Sequence, residues 1–296
     1  MSIVVITGCS SGFGLMAAKQ LAERGDQVFA TMRDPNGKNR ESAEDLGSFA
    51  AQTGSNLTVL DLDVTSNESV DTAAAAVLDS AGAPDVVINN AGQMYVGLSE
   101  AFTAEELTRQ LDVNVVGVHR VCRAFQPAMR ERGRGLIINV SSIAGRMAIP
   151  FFGVYHASKW GLEGYSLAAR GELAGSGVDV VVVEPGPFTT ELFPQSPRPA
   201  DLDGRAGTYP AAAEQAFEEM GAAFDELFGD PEVPTDPTAV VDRFVELIDM
   251  TTGTRPFRSV VGVDFGVSER NSVVEPHDQQ LLQDMGLEDF ARLKTS

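Results

Sequence analysis

Residues 3–14 read IVVITGCSSGFG. Ile3, Val4, Val5 and Ile6 are consecutive and apolar, with no polar alternation, which describes a strand covered on both faces. Gly8, Gly12 and Gly14 follow at once, and helical spacing begins over 12–24. A strand running through a glycine turn into a helix lets a phosphate approach the backbone. The helix then offers its free N–H groups and positive dipole end at the same spot. The spacing is G-x-x-x-G-x-G rather than the G-x-G-x-x-G dinucleotide fingerprint. The same residues admit a second reading. GCSSG at 8–12 fits the G-x-S-x-G nucleophile elbow, with Ser10 as the attacking hydroxyl of a serine hydrolase. That enzyme needs strands and an oxyanion loop ahead of its serine and a histidine after its acid. Only seven residues precede Gly8, and the only late histidine, His277, lies in a polar tail, so this is the weaker alternative.

Outward from the turn, similar apolar runs recur at 28–31, 57–60, 86–89, 136–140, 180–183 and 259–263. Helical spacing occupies 67–80, 104–131 and 155–174 between them. Alternating strand and helix of this kind predicts an α/β fold. We expect a doubly wound, Rossmann-like parallel sheet of about seven strands in three layers, forming one domain over 1–296. The pattern weakens after Leu192. Residues 194–210 are rich in Pro, Gly and charge and read as a long loop, followed by helices over 211–228 and about 238–250. The stretch 192–237 is expected to be a lid or pocket wall inserted late in the domain.

Lys plus Arg number 22 and Asp plus Glu 42, a formal net charge of −20. Such a balance argues against nucleic acid and anionic membranes as partners. With 43% hydrophobic residues the chain has material for a substantial core. Two cysteines (Cys9, Cys122) and three histidines (His119, His156, His277) make neither a disulfide framework nor a metal site. No run is long enough to span a bilayer, and the first strand leaves no room for a signal peptide. A cytoplasmic protein is the expectation.

The chemistry concentrates in residues 136–164, LIINVSSIAGRMAIPFFGVYHASKWGLEG. Tyr155 and Lys159 are four apart on a helical run, hence on one face. A phenol holds its proton to about pH 10, and an ammonium beside it favours the phenolate. A lowering of roughly 3 units asks about 4 kcal/mol, which one nearby charge plus a cofactor cation can supply. A tyrosine so tuned exchanges a proton near neutrality.

Taken together, these stretches resemble the short-chain dehydrogenase/reductase family over roughly residues 3–191. The motifs occur in order: TGCSSGFG (7–14), NNAG (89–92), Asn114 in LDVNVVG, Ser142 thirteen residues before Tyr155, YHASK (155–159) and PGPFTT (185–190). The resemblance implies an oxidoreductase that moves a hydride between a nicotinamide cofactor and a carbonyl or alcohol. Tyr155 would be the acid/base and Lys159 would lower its pKa and bond the ribose. Ser142, with Ser141 as the adjacent alternative, would hydrogen-bond the substrate oxygen. Asn114 would hold a water linking Lys159 to solvent. Gly8, Ser10, Ser11, Gly12, Phe13 and Gly14 would cradle the dinucleotide. Asp63 and Val64 would flank the adenine, Asn90, Ala91 and Gly92 would close the strand end, and Pro185, Gly186 and Thr190 (or Thr189) would meet the nicotinamide.

NAD-dependent relatives place an Asp near the end of the second strand. Here Met32 stands at about that point, Arg33 follows, and Asp34 comes next. A guanidinium suits the 2′-phosphate of NADP, with Ser11 adding a hydroxyl, whereas an acid there suits NAD. NADP(H) is favoured. Met147, Phe151, Phe152, Phe188, Leu192 and Phe193 are candidates to line an apolar pocket. They favour reduction of an apolar or aromatic ketone or aldehyde, and the fold alone does not choose. His156, Trp160 and Tyr165 are expected to be structural or subunit contacts. A homo-oligomer is expected through the helices carrying Asn114 and Tyr155, with Gly161 and Gly164 allowing close packing. An NADP-binding regulator without turnover is the rival reading; it needs the glycine turn but not Tyr155 and Lys159.

Overall fold

The structure, a computed structural model, describes residues 1–294; the last two residues of the expected 1–296 unit lie outside the described residues. All seven apolar runs form strands: β1 (Ile3–Thr7), β2 (Gln27–Met32), β3 (Leu57–Asp61), β4 (Val86–Asn89), β5 (Gly135–Val140), β6 (Val178–Pro185) and β7 (Arg258–Val261). They make one parallel sheet in the order β3-β2-β1-β4-β5-β6-β7. The chain reverses its direction of winding between β1 and β4, where Val4 pairs with Val28 on one side and Val86 on the other. Crevices at the carboxyl ends of strands open at such a switch point.

The helices are α1 (Gly12–Glu23), α2 (Arg40–Thr53), α3 (Asn67–Ala81), α4 (Ala104–Leu111), α5 (Gly117–Arg132), α6 (Gly153–Ala174), α7 (Leu202–Arg205), α8 (Ala211–Gly229), α9 (Thr238–Asp249) and α10 (Val267–Asp284). Successive strand residues serve opposite layers. Val4 and Ile6 pack with Leu21 of α1 and Phe244 of α9, whereas Val5 packs with Val77 of α3, Phe125 of α5 and Leu162 of α6. Both layers are apolar, so the inner strands run without polar alternation, whereas the edge strand β3 exposes Thr58 between Leu57 and Val59. In β6 all eight residues are buried.

The sequence expectations need four corrections. Helix α2 escaped them: it buries only Leu46 outright, with Ala43 and Phe49 partly covered beside it, in a stretch otherwise of polar and small residues. Helix α10 occupies the supposed polar tail; only Val267 and Asn271 are buried, and Pro276 lies inside it. The short helix α7 interrupts the expected loop over 194–210. The run over 104–131 is two helices joined by a π turn, Asp112–Val116, in which Gly117 N–H donates to Asp112 C=O five residues back. Cys9 and Cys122 are buried free thiols. Among the described residues no helix is long and apolar enough to cross a membrane.

Candidate active site

A cavity of about 360 Å³ opens at the carboxyl ends of the central strands. Its floor is the glycine turn. Gly8 (φ 74°) and Gly12 (φ 55°) occupy the left-handed region that favours glycine. A Cβ on Gly8 would stand 2.7 Å from Ala91 Cα. A Cβ on Gly14 would run into the Gly8 carbonyl and the Asn90 amide, so Gly14 serves close packing and does not line the cavity. Asn90 Nδ2 donates to the carbonyls of Thr7 (2.9 Å) and Gly8 (3.1 Å), and Thr7 Oγ1 accepts from Asn90 N–H and Ala91 N–H. The NNAG segment thus clamps the turn through backbone groups. Ser11 caps α1 without spending its hydroxyl on a cap bond.

Gly8, Ser10, Ser11, Gly12, Phe13, Arg33, Asp63, Val64, Asn90, Ala91 and Gly92 all face this end of the cavity. Arg33 makes no ion pair among the described residues. Asp34 is not in the lining. Its carboxylate accepts from Lys38 N–H (2.7 Å), and its own N–H donates to Asp61 (3.0 Å). Asp63 accepts from the backbone and hydroxyl of Thr65.

Midway along the cavity stand Ser142, Tyr155 and Lys159. Ser142 accepts from Ala144 N–H and donates to the Pro185 carbonyl (3.3 Å). Ser141 does not line up with it: its hydroxyl is buried beneath Gly145 without a partner. Lys159 Nζ donates to the Val140 carbonyl at 2.9 Å and lies 5.7 Å from the Tyr155 ring centre. The expected lowering of the phenol is not supplied by the protein's own groups. Burial pushes Tyr155 up to about 12, against a smaller downward pull from Ser142. Burial also pulls Lys159 down to about 8, opposed by the charge of Glu163. The local helix spacing put the two residues together correctly, but desolvation outweighs their mutual effect at a buried site.

Asn114 lies in the π turn, just behind the cavity wall. Its Oδ1 accepts from Gln93 N–H (2.9 Å), and its Nδ2 donates to Gln93 C=O (2.9 Å) and Ser158 Oγ (3.0 Å). A Cβ on Gly92 would stand 3.5 Å from Asn114 Oδ1 and 3.9 Å from Lys159 Nζ, so that glycine keeps the gap between them open. Pro185, Gly186 and Thr190 line the cavity beside Ser142, while Thr189 is exposed and outside it.

The far end is aromatic. Met147, Phe152, Leu192 and Phe193 line it as the sequence suggests; Phe188 lines the cavity nearer the glycine turn, 5.7 Å from the Phe13 ring, and Phe151 instead packs edge-on against Phe217. Ile149, Phe224, Phe228 and Phe265 also line it and were missed. Phe217, Met220, Phe224 and Phe228 recur at helical intervals along α8, a signal that was legible. His156 is structural: Nδ1 pairs with Ala144 C=O and Nε2 accepts from Ile149 N–H. His277, the histidine the hydrolase reading needs, lies on α10 and does not line the cavity with Ser10. Trp160 bonds the Met147 carbonyl and Tyr165 pairs with His119, both away from the cavity.

A glycine-cradled floor, a strip of half-buried Ser142 with buried Tyr155 and Lys159, and a parallel sheet now stand together. The family model for short chain dehydrogenases matches residues 2–200. The chain is a short-chain dehydrogenase/reductase. Among relatives of this oxidoreductase family, it is 39% identical over 207 residues to the 3-ketodihydrosphingosine reductase of Bacteroides thetaiotaomicron, covering 70% of this chain and 71% of the relative. It is 35% identical over 251 residues to human retinol dehydrogenase 8, covering 84% and 78%. In structure it resembles a variant of actinorhodin polyketide ketoreductase with NADPH, at a TM-score of 0.69 and 28% identity over 90% of this chain and 97% of that one.

Proposed function

We propose that this short-chain dehydrogenase/reductase is an NADP(H)-dependent reductase of apolar or aromatic ketones and aldehydes. The observation that carries the reading is the order of chemistry along one cavity: an unpaired guanidinium and glycine turn at one end, Tyr155 at the middle, aromatic rings at the other. The residues fit a dinucleotide. The α1 N-terminus and Ser11 hydroxyl would meet the pyrophosphate, Arg33 the 2′-phosphate, and Asp63 and Val64 the adenine end. Asp34 is the residue that would favour NAD, and it is committed to its own loop. The ketoreductase neighbour is described with NADPH, and the relatives' names refer to a ketodihydrosphingosine and a retinol, both consistent with this reading.

When bound, the nicotinamide supplies the hydride. Ser142 holds the substrate oxygen, and Tyr155 gives it a proton. Lys159, as an ammonium, stabilises the phenolate that forms; its charge is worth most in a site this dry. Asn114 Oδ1 retains one free lone pair, and the space at Gly92 admits a water between it and Lys159, through which the proton is replaced. Residues 192–237 contribute Leu192, Phe193, Phe224 and Phe228 as the wall that selects the substrate. Val116 and Trp160, 39% and 45% exposed, and the uncovered Gly161 and Gly164 suit pairing with a second copy.

The test is a panel of aliphatic, aromatic and polycyclic ketones and aldehydes mixed with the protein and NADPH, followed by the cofactor's absorbance. Oxidation of NADPH with apolar members is expected. Tight NADPH binding without turnover across the panel would favour a regulator instead.

A further inference from the structure

Glu163 follows Lys159 by four residues on α6 and shares its face. Both are buried, at 2% and 6% exposure respectively. Lys159 has no ion pair among the described residues; its amine bonds only the Val140 carbonyl. An ammonium in so dry a place tends towards the neutral amine. Glu163 supplies the charge that opposes this.

Glu163 belongs to a larger buried junction behind the active site. Arg258 of β7 donates through Nε to Glu163 Oε2 at 3.0 Å, and the same nitrogen is 3.8 Å from Glu184 Oε1 on β6. Asn271 of α10 donates to Glu184 Oε2 and accepts from Arg146 Nε, in the loop after Ser142, at 2.8 Å. Asp278 of α10 stands 3.8 Å from Arg258 Nη1. The remaining carboxyl oxygens, Oε1 of Glu163 and Oε1 of Glu184, are buried and partnerless. A single proton between two carboxyls satisfies both orphans, and two adjacent buried carboxylates resist ionising together. Burial, followed by the charge of Glu163, pushes Glu184 towards holding that proton.

We propose that Glu163 is a positioning residue acting through Lys159: it shares one proton with Glu184 across Arg258, and the negative charge left on the pair keeps the Lys159 amine an ammonium. The other charged groups facing the pair are Arg146 and Asp278, and Arg258 is divided among three acids. Glu184 is the member that burial drives towards holding the proton, and Glu163 stands one turn from the amine. This rests on Lys159 as the partner of the acid/base, but the amine can be read without turnover.

The chain has four lysines, Lys19, Lys38, Lys159 and Lys294. Carbon-13 at lysine Cε therefore gives four NMR signals, and the Lys159 signal is the one lost in K159M. In the wild type it is expected to titrate near pH 8. E163Q should lower that midpoint by about one unit, and E163D should restore most of it. E184Q leaves Glu163 as the sole carboxyl of the pair with no partner to share a proton, so the midpoint should stay or rise. An E163Q midpoint equal to wild type overturns the proposal, as does a fall in E184Q matching that in E163Q. Should E163Q fail to fold, the direction in E184Q decides: a fall overturns, and no fall supports. A protein that shows these shifts yet reduces no carbonyl refutes the reductase reading alone.

Discussion

The two ends of the cavity are held by different means. At the dinucleotide end the backbone sets the shape: Asn90 ties Thr7 and Gly8, and a methyl group on Gly8 would strike Ala91. At the aromatic end the wall is α8, none of whose residues is fully buried. It is held by ring contacts, Phe224 to Phe193 at 5.9 Å and to Phe152 at 6.2 Å. A wall made of backbone admits one shape; a wall made of side chains can be re-cut by substitution. The same chemistry can therefore be kept while the substrate changes.

The largest effect is expected where the two ends meet. Tyr155→Phe should lower turnover by about 10³-fold, the scale of a lost general acid. NADPH affinity should hold within error by fluorescence titration, and retained turnover would sink the acid/base assignment. At the dinucleotide end, Arg33→Ala should raise the NADPH dissociation constant about 10–100-fold, the worth of a charge-assisted bond. NADH binding should barely move; equal losses for both cofactors would reverse the cofactor preference. Gly8→Ala, at φ 74° and against Ala91, should cost about 1–3 kcal/mol of stability in chemical denaturation. Its counterpart on the aromatic wall, Phe224→Ala, should raise KM for a polycyclic ketone about two- to tenfold while leaving Tm nearly unchanged. A large Tm loss for Phe224→Ala with a tolerated Gly8→Ala would invert the comparison.

Between the ends lies a pH signature. The Lys159 pKa is lowered from 10.5 to about 8 in the folded protein. Between those values the unfolded chain binds more protons, so stability rises with pH through the window. The slope attributable to this residue is about 1 kcal/mol per pH unit. It should disappear when K159M is compared with the wild type by denaturant titration from pH 8 to 10.5.

How much of this was legible follows the same division. The strands were readable because both faces of the sheet are buried, which leaves uninterrupted runs such as 180–183 inside the fully buried β6. The glycine turn, NNAG and the Ser142–Tyr155–Lys159 spacing were readable because close backbone approach and shared helix faces restrict residue types. Helices α2 and α10 were not, since each buries only one or two residues outright and the rest of its sequence is mostly polar or small. The aromatic wall was half readable: Phe152 and Phe193 were found, whereas Phe224 and Phe228 come from a helix whose relation to the cavity is tertiary. At Tyr155 the sequence shows the neighbour but not its bonding. Sequence spacing shows a neighbouring cation, but only the structure shows that this cation's hydrogen bond goes to Val140 and that both groups are dry.

The π turn at Asp112–Val116 has a bearing on how this chain tolerates insertion and deletion. One residue more than an α-helix needs is stored there, and each helical residue turns the chain by about 100°. Removing one of the five would let the segment close into ordinary α-helix with its two flanks still in phase, but the widened turn that carries Asn114 would be gone. Asn114 would then swing off Gln93 while Val116 and the outer side of α5 kept their bearing. A frame-preserving loss of a single codon there would thus be felt at the Lys159 side of the helix and hardly at its outward flank.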